Sequence, residues 1–312
     1  MSTGSENAWP KGARAAISLT LDNMGEAADL GRNLWPSDKP LGSHFSVVEV
    51  IPKILALLEK HSVQVTYFVE AWNLSVYPDK INAIAHAGHE IAWHGWQHEA
   101  WYTLYDRAEE EIFDRSFGND GRLGYLRYLK NFENKNHTRT VELYRGFRPP
   151  GGLILGGRTL KLCREYGLDY ISPAGEQAAM VKTGRNEDLI AILPFRWTAV
   201  DATYYMEAFW LLRTLKGFPS RDPMSPAELT QKYIEQIDET IERGGFLSLL
   251  FHPFLTTSSD RMEALETVIK YLAKKRDEGV VWLARCCDVA AHLHEHPNTV
   301  GEDPIWDETT WR

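Results

Sequence analysis

The stretch that decides the fold is residues 91–101, IAWHGWQHEAW, in which a short apolar run ends and two histidines follow. His94 and His98 lie four positions apart. If the chain continues as a helix after His94, both imidazoles point the same way, because positions i and i+4 share a face. Two neutral imidazoles on one face are a good start for a divalent metal site. The stretch therefore points to a metal site, for which a third ligand, a base and an acid must come from elsewhere in the chain.

On either side of this stretch, short strand candidates alternate with segments of helical spacing. Runs rich in apolar and β-branched residues predict strands at 15–21, 63–69, 89–93, 145–147, 168–172, 189–195, 246–251 and 279–283. Amphipathic spacing predicts helices at 46–60, 78–87, 103–115, 158–166, 226–243, 260–277 and 286–295. This alternation is typical of an α/β fold in which helices cross over a parallel sheet.

The sequence shows no repeat and no linker. We therefore expect one catalytic domain over residues 1–312, with its motifs in a body at 13–295 and a tail at 296–312. The polar stretch 118–143 is hard to place, and the aromatic, proline-rich stretch 202–225 reads as an excursion from the alternation. Because these stretches and the aromatic tail can pack on a neighbouring subunit, we expect a homo-oligomer.

Composition narrows the class of partner. The net charge is −9, and the 34 Lys and Arg residues do not cluster, which argues against nucleic acid or an anionic membrane as the main partner. The sequence has no signal-peptide pattern and no apolar run of transmembrane length. Its three cysteines include no CxxC pair, which favours a reducing compartment. We expect a cytoplasmic protein that acts on a small molecule.

Four ionisable residues stand where predicted strands end. Asp22, His94, Arg148 and His252 each follow an apolar strand candidate. In a parallel barrel the carboxyl ends of the strands open on one face, where active sites are built. The pattern therefore predicts that these four side chains converge on one mouth.

The chemistry of these residues suits metal-assisted hydrolysis of an amide, which needs a base for water, a Lewis acid for the carbonyl and an acid for the leaving nitrogen. Asp22 suits the base, and His94 and His98 suit the metal. His252 suits either the acid or an oxyanion stabiliser. Arg148 can fix Asp22 or meet a carboxylate on the substrate. Taken singly, Asp22 also reads as a turn residue, and Arg148 and His252 as structural residues.

In this order, the residues resemble the motifs of the polysaccharide deacetylase family, also called the NodB-homology family or carbohydrate esterase family 4. Residues 20–24 (TLDNM) match its Thr-Phe-Asp-Asp-Gly motif, 94–98 (HGWQH) its His-x-x-x-His, 148–152 (RPPGG) its Arg-x-Pro-x-Gly and 249–252 (LLFH) its Leu-x-x-His. A fourth motif, an Asp followed by an aromatic residue, has a weak counterpart in Trp197 and Asp201. The resemblance extends over roughly residues 13–290.

The resemblance implies a single-domain, distorted (β/α) barrel with a metal-lined mouth. It implies that Asp22 is the base, that His94 and His98 hold one zinc-like divalent ion per chain, and that His252 is the acid. Members of the family remove N-acetyl groups from amino sugars, and a side branch acts on small linear or cyclic amides such as allantoin. The resemblance therefore implies a hydrolase of non-peptide carbon–nitrogen bonds.

One position departs from the family pattern. The second Asp of the first motif, a metal ligand in the family, is Asn23 here. Because a neutral amide oxygen binds zinc more weakly than a carboxylate, three alternatives stay open. Asn23 still binds the metal, Asp22 replaces it as a ligand, or the metal is weak or absent, and Glu26 can supply the missing charge. This departure favours a small amide or N-acetylated molecule over an extracellular polymer as the substrate.

Five further residues are predicted to contact the substrate. These are Glu26, Trp96, Pro150, Gly151 and Asp201. Two other functions stay open beside the metal-dependent hydrolase. One is a metal-independent hydrolase of cyclic amides or imides, similar to an allantoinase. The other is a non-catalytic protein that binds a ligand in the same pocket.

Overall fold

A curled and mostly parallel sheet organises the computed structural model, which describes residues 9–117, 144–183 and 188–310. The strands of these residues are β1 (Ala15–Asp22), β2 (Thr66–Val69), β3 (Glu90–Trp93), β4 (Gly146–Phe147), β5 (Tyr170–Ile171), β6 (Ala179–Thr183), β7 (Asp188–Ile192), β8 (Gly245–Phe251) and β9 (Val281–Leu283). The sheet order is β6-β7-β5-β4-β3-β2-β1-β8, and β9 pairs with the first residues of β1. All pairs are parallel except β6 with β7, which confirms the predicted α/β class.

Helices cover the sheet between the strands. They are α1 (Ala27–Gly31), α2 (Ile51–Lys60), α3 (Asn73–Val76), α4 (Pro78–His86), α5 (Asp106–Phe117), α6 (Gly157–Glu165), α7 (Asp201–Tyr205), α8 (Trp210–Leu215), α9 (Pro226–Arg243), α10 (Ser259–Asp277) and α11 (Cys286–Glu295). A π-helical turn, Ser46–Val50, leads into α2. Short 3-10 turns complete the set at Pro10–Gly12, Trp101–Thr103, Trp197–Ala199, Glu207–Phe209 and Pro297–Thr299.

The sequence explains why the central strand and the longest well-capped helix form. Every residue of β1 is buried, as expected for a strand of a parallel sheet that is covered on both faces. Helix α9 begins at Pro226, after Ser225 and Glu228 cap each other's backbone N–H groups, and it ends before Gly244, where φ is +77°. A capping box, proline in the first turn and glycine after the last turn are strong helix boundaries.

The structure differs from the sequence reading in two places. No helix follows His94: residues 94–98 form a turn, in which Gly95 and His98 have φ of +77° and +63°. These left-handed conformations are incompatible with a right-handed helix. The sequence reading made no prediction for residues 179–183, where β6 forms an antiparallel hairpin with β7.

Other boundaries differ by a few residues. Strand β2 begins at Thr66 rather than at residue 63, and α5 begins at Asp106 rather than at residue 103. The excursion at 202–225 contains the short helices α7 and α8, and the stretch 118–143 lies outside the described residues.

The tail packs on the body. Gly301 and Trp306 form β-bridges with Ala179 and Gly175, so the tail lies beside the β6–β7 hairpin. Among the helices described, none combines the length and the apolar character needed to cross a membrane.

Candidate active site

A cavity of about 420 Å³ opens at the carboxyl ends of the central strands. Asp22 is the last residue of β1, while His94, Arg148 and His252 directly follow β3, β4 and β8. All four residues line the cavity, together with Asn23 and His98. The strand-end pattern therefore brings the four ionisable residues to one mouth, as the sequence indicated.

Arg148 holds Asp22 at the floor of this cavity. Its Nη1 donates to Asp22 Oδ1 at 2.7 Å and to Thr20 Oγ1 at 2.9 Å. Its Nη2 donates to Ser172 and Ser248, both at 2.9 Å, and the guanidinium is 1% exposed. A buried ion pair whose remaining N–H groups are also bonded has the geometry that offsets its desolvation cost. Arg148 therefore fixes the position of Asp22.

His94 turns one nitrogen toward this carboxylate. Its Nδ1 lies 2.7 Å from the carbonyl oxygen of Arg148, and because a carbonyl only accepts, Nδ1 carries the proton. Nε2 is therefore a lone-pair acceptor, 3.8 Å from Asp22 Oδ2. Burial lowers the pKa of His94 to about 4, although the charge of Asp22 acts in the opposite direction. At neutral pH the ring is uncharged.

His252 has its own buried carboxylate. Asp201 at the start of α7 accepts from the His252 backbone N–H at 2.7 Å and lies 2.5 Å from its Nδ1. Asp201 is fully buried and is not among the described residues that line the cavity, so its predicted contact with substrate is corrected: it orients His252. Two bonds from one carboxylate fix both the ring orientation and the tautomer of His252.

Glu70 holds the side chain of Asn23 in place. The sequence did not indicate Glu70 as a site residue. The Asn23 Nδ2 donates to Glu70 Oε1 at 3.1 Å, and the backbone N–H of Met24 donates to Glu70 Oε2 at 3.0 Å. Asn23 has a left-handed φ of +60°, which asparagine tolerates better than most residues. Burial raises the pKa of Glu70 to about 8. Glu70 directly follows β2, so the strand-end rule that identified the other residues also applies to it.

The guanidinium of Arg32 faces the ring of His98. Arg32, just after α1, places Nη2 2.9 Å from His98 Nδ1. The rings of His98 and His94 are in edge contact, with centroids 4.9 Å apart. The two histidines therefore do come together, although through a left-handed turn and not through a helix.

These donors do not fit a divalent metal ion. The described residues contain no group of three or more His, Cys, Asp or Glu side chains placed to hold one. The carboxylate of Asp22 already pairs with Arg148, and a second guanidinium faces His98. The amide nitrogen of Asn23 donates to Glu70. The zinc site predicted at His94, His98 and Asn23 thus has two imidazoles, a neutral amide and two nearby positive charges, which disfavour a cation.

Two other predicted substrate contacts point elsewhere. Glu26 is fully buried, and its carboxylate accepts from the Gly42 N–H and the Tyr77 hydroxyl, so it ties down the loop after α1. Trp96 is 1% exposed, its indole lies under the guanidinium of Arg115, and it is absent from the described lining of the cavity. Both residues support the site from outside the cavity. For Trp96 the reason is that the turn at 94–98 directs the indole into the protein interior.

Pro150 and Gly151 lie at the edge of the site. Gly151 lines the cavity, whereas Pro150 lines a neighbouring cavity of about 300 Å³ that also includes Gly151. Arg32 and His98 line both spaces. The predicted contact of Gly151 with substrate is therefore geometrically possible, and that of Pro150 requires a substrate that reaches the second cavity.

Large apolar side chains form the walls of the main cavity. They are Leu34, Phe45, Phe195, Trp197, Val200, Met206, Phe209, Leu250 and Phe254. Most of them come from the segment between β7 and α8, and two of these, Met206 and Phe209, lie in the stretch 202–225 that the sequence marked as an aromatic excursion. Its aromatic content was the available signal for a pocket wall.

Comparison with known proteins agrees with this geometry. The model of the polysaccharide deacetylase family matches residues 16–171, half of the chain. The chain belongs to the polysaccharide deacetylase family. The matched residues include Asp22, His94 and Arg148, and membership supports a hydrolase that acts on amide bonds. Polysaccharide deacetylases generally use a divalent metal ion, so the donor set described above is unusual for this family.

Similar proteins extend over most of the chain. The peptidoglycan deacetylase of Helicobacter pylori is 24% identical over 75% of this chain and 80% of its own length. A Mycobacterium smegmatis structure assigned to the polysaccharide deacetylases has a TM-score of 0.72 at 22% identity and covers 96% of both chains. The Puue allantoinase has a TM-score of 0.68 at 18% identity and covers 94% of this chain and 95% of its own. These structures confirm the predicted NodB-type fold.

Proposed function

We propose that this polysaccharide deacetylase homologue hydrolyses the amide bond of a small molecule, with Asp22 as the base and His252 as the acid. The observation that carries the proposal is that both residues line one cavity and each has a buried partner of opposite character, Arg148 or Asp201. A base and an acid that are held separately at one mouth suit water attack followed by protonation of a leaving group.

The first step uses Asp22 and His94. Asp22 Oδ2 and His94 Nε2 are both acceptors and lie 3.8 Å apart. Such a pair suits the two protons of one water molecule and turns its lone pairs toward the substrate carbonyl. Asp22 takes one proton as the oxygen attacks the carbonyl carbon. Its carboxylate, whose charge Arg148 had stabilised, thereby becomes a neutral carboxyl group.

The second step uses His252. In its protonated form, Nδ1–H donates to Asp201 and Nε2–H faces the leaving nitrogen. As the carbon–nitrogen bond breaks, Nε2 gives its proton to that nitrogen and the imidazole becomes neutral. The products are a carboxylic acid and an amine. The proton on Asp22 then passes to His252, which returns the site to its starting state.

The cavity favours a small substrate with an apolar part. Its volume of about 420 Å³ is in the range of small-molecule sites, and aromatic and aliphatic side chains form its walls. The Helicobacter pylori relative is named a peptidoglycan deacetylase, so an N-acetylated carbohydrate is the natural competitor in any test.

The test is a panel of amides given to the purified protein. We expect acetanilide, an acetylated aromatic amine, to be hydrolysed with a higher kcat/KM than N-acetylglucosamine. Asp22→Asn and His252→Asn should each lose activity, while folded structure is checked by circular dichroism. Absence of hydrolysis across the whole panel would overturn the proposal and favour a non-catalytic ligand-binding protein.

A second candidate is a metal-independent hydrolase of a cyclic amide or imide. It is favoured by Asn23, which Glu70 holds in place of the carboxylate expected from the family, and by the fold shared with the Puue allantoinase. Allantoin and glutarimide in the same panel distinguish it, because only ring opening of these compounds supports this candidate.

A further inference from the structure

Three of the four imidazoles that line the cavity, those of His94, His98 and His252, differ in where their protons sit. His94 donates from Nδ1 to a carbonyl, and His252 donates from Nδ1 to Asp201. In the neutral form, both rings therefore present Nε2 as an acceptor. His98 is the opposite case, because the atom that faces its Nδ1 is a guanidinium nitrogen of Arg32 at 2.9 Å.

A guanidinium has donors only and is not deprotonated in proteins. Nδ1 of His98 must therefore accept, and the ring proton sits on Nε2. A proton on Nδ1 would point at this guanidinium, so the ring stays neutral and keeps a single N–H, at Nε2.

The local backbone brings Arg32 to this position. A Cβ built on Gly31 would lie 2.6 Å from the carbonyl oxygen of Gln97, so the end of α1 touches the turn that carries His98. Only glycine permits this close approach. The contact between Arg32 and His98 is thus set by the backbone and is not a chance meeting of long side chains.

We propose that Arg32 fixes His98 as the Nε2–H tautomer and that this N–H binds the carbonyl oxygen of the amide substrate. The inference rests on the proposed hydrolysis, for which the residues described so far supply a base and an acid but no electrophile. A preorganised neutral donor near a developing oxyanion lowers the barrier, and its loss commonly costs roughly 100- to 1000-fold in kcat. Arg32 is then a positioning residue, and His98 is the group that touches the substrate.

The experiment compares Arg32→Lys with Arg32→Glu. Lysine still donates to Nδ1, so the Nε2–H tautomer should persist, and kcat should stay within about 10-fold of that of the original protein, well short of the loss expected when an oxyanion donor is removed. Glutamate can only accept, so it should move the proton to Nδ1 and reduce kcat by about 100-fold or more. Nitrogen-15 NMR of the His98 ring reads the tautomer directly in each protein.

Three outcomes would overturn the inference while the proposed function stands. They are an Nδ1–H tautomer in the original protein, an unchanged tautomer in Arg32→Glu, or equal kcat in the lysine and glutamate variants. If no amide is hydrolysed, the proposed function fails, and titration with acetamide decides the inference. Movement of the His98 Nε2–H resonance on addition of acetamide supports carbonyl binding, and an unmoved resonance overturns it.

Discussion

Asp201 binds His252 through two different atoms, the backbone N–H at 2.7 Å and the ring Nδ1 at 2.5 Å. The carboxylate thereby fixes where the strand end lies and which ring nitrogen faces the cavity. An asparagine at this position has one acceptor oxygen and one donor nitrogen, so it can satisfy only one of the two bonds.

We therefore expect Asp201→Asn to lower kcat by about 100-fold or more, with a smaller effect on KM, because proton delivery to the leaving nitrogen is impaired. The measurement is a double-mutant cycle with His252→Asn on the best substrate of the panel. Since Asp201 acts through His252, the double variant should be no slower than His252→Asn alone. Additive losses would show that Asp201 acts independently.

Arg148 gives a second prediction, on stability. Arg148→Met removes the partner of the buried Asp22 carboxylate, and leaving such a charge without its partner costs about 3–5 kcal/mol. Urea unfolding at neutral pH measures this loss. The matched control is Arg148→Met combined with Asp22→Asn, which removes the buried charge and should recover part of the loss. Equal stability of the single and double variants would contradict the prediction.

The donor set at Asn23 gives a third prediction, on metal. We expect exhaustive chelation to leave kcat unchanged and elemental analysis to find less than one zinc per chain. Stoichiometric zinc whose removal abolishes activity would contradict this prediction and return the metal-dependent mechanism. His94→Ala would then be the variant to test, since it should lose both metal and activity.

The same position can be altered to recover a metal site. Asn23→Asp alone should destabilise the protein above about pH 8, where Glu70 is ionised and the new carboxylate would face it across the present 3.1 Å contact. Glu70→Gln in addition should relieve this repulsion and raise zinc affinity in calorimetric titration above that of the original protein. No gain in affinity in the double variant would show that the guanidinium groups of Arg32 and Arg148, rather than the amide of Asn23, decide metal exclusion.

His89 gives a fourth prediction, on pH. Burial lowers its pKa from 6.5 to about 4, with a smaller contribution from Arg285, and its Nδ1 accepts from the Val65 N–H at 3.2 Å. Below its ordinary pKa the unfolded chain binds a proton that the folded chain does not. Stability is therefore complete above pH 6.5 and falls as the pH drops toward 4, by up to about 3 kcal/mol for this residue.

Urea unfolding across this pH range measures the slope. His89→Asn keeps an acceptor for Val65 and removes the titrating group, so its slope should be shallower. The lowered pKa values of His44, His94 and His98 contribute in the same direction and will leave a residual slope. An unchanged slope in His89→Asn would exclude His89 as a source.

Subunit assembly gives a fifth prediction. Trp210 and Leu215 on α8 are 46% and 59% exposed, and the adjoining tail exposes Trp306. Lys216 and Asp307 form an ion pair at 2.5 Å that holds these two segments together. Because exposed large apolar side chains on neighbouring segments are typical of contact surfaces between proteins, we predict a homo-oligomer. Light scattering tests it, with Trp210→Ser as the variant that should weaken assembly, and a monomer at all concentrations would refute it.

The sequence predicted those parts of the site that follow from strand direction. Asp22, His94, Arg148 and His252 meet because parallel strands end on one face, a rule that needs no knowledge of side-chain packing. The alternation of strands and helices likewise predicted the α/β class. Short, buried runs with turn residues around them were sufficient for both inferences.

The partners of Asn23 and His98 could not be predicted, because each lies far away in the chain and depends on exact packing. Glu70 meets Asn23 from the next strand, and Arg32 meets His98 only because Gly31 lets two backbones touch. The expected helix after His94 failed for a local reason, the left-handed conformations at Gly95 and His98. The two histidines, four residues apart, still bring their imidazoles together, but through a left-handed turn instead of a helix.

Arg148 makes hydrogen bonds to Thr20 on β1, to Ser172 after β5 and to Ser248 on β8, in addition to Asp22. Each hydroxyl satisfies a buried N–H, so replacing any one of them by an apolar residue leaves a donor without a partner. These residues therefore cannot be replaced one at a time without leaving a buried N–H group unpaired. A redesigned sequence that removes one of these hydroxyls must supply another acceptor for the same N–H, so the residues around the guanidinium have to be chosen together.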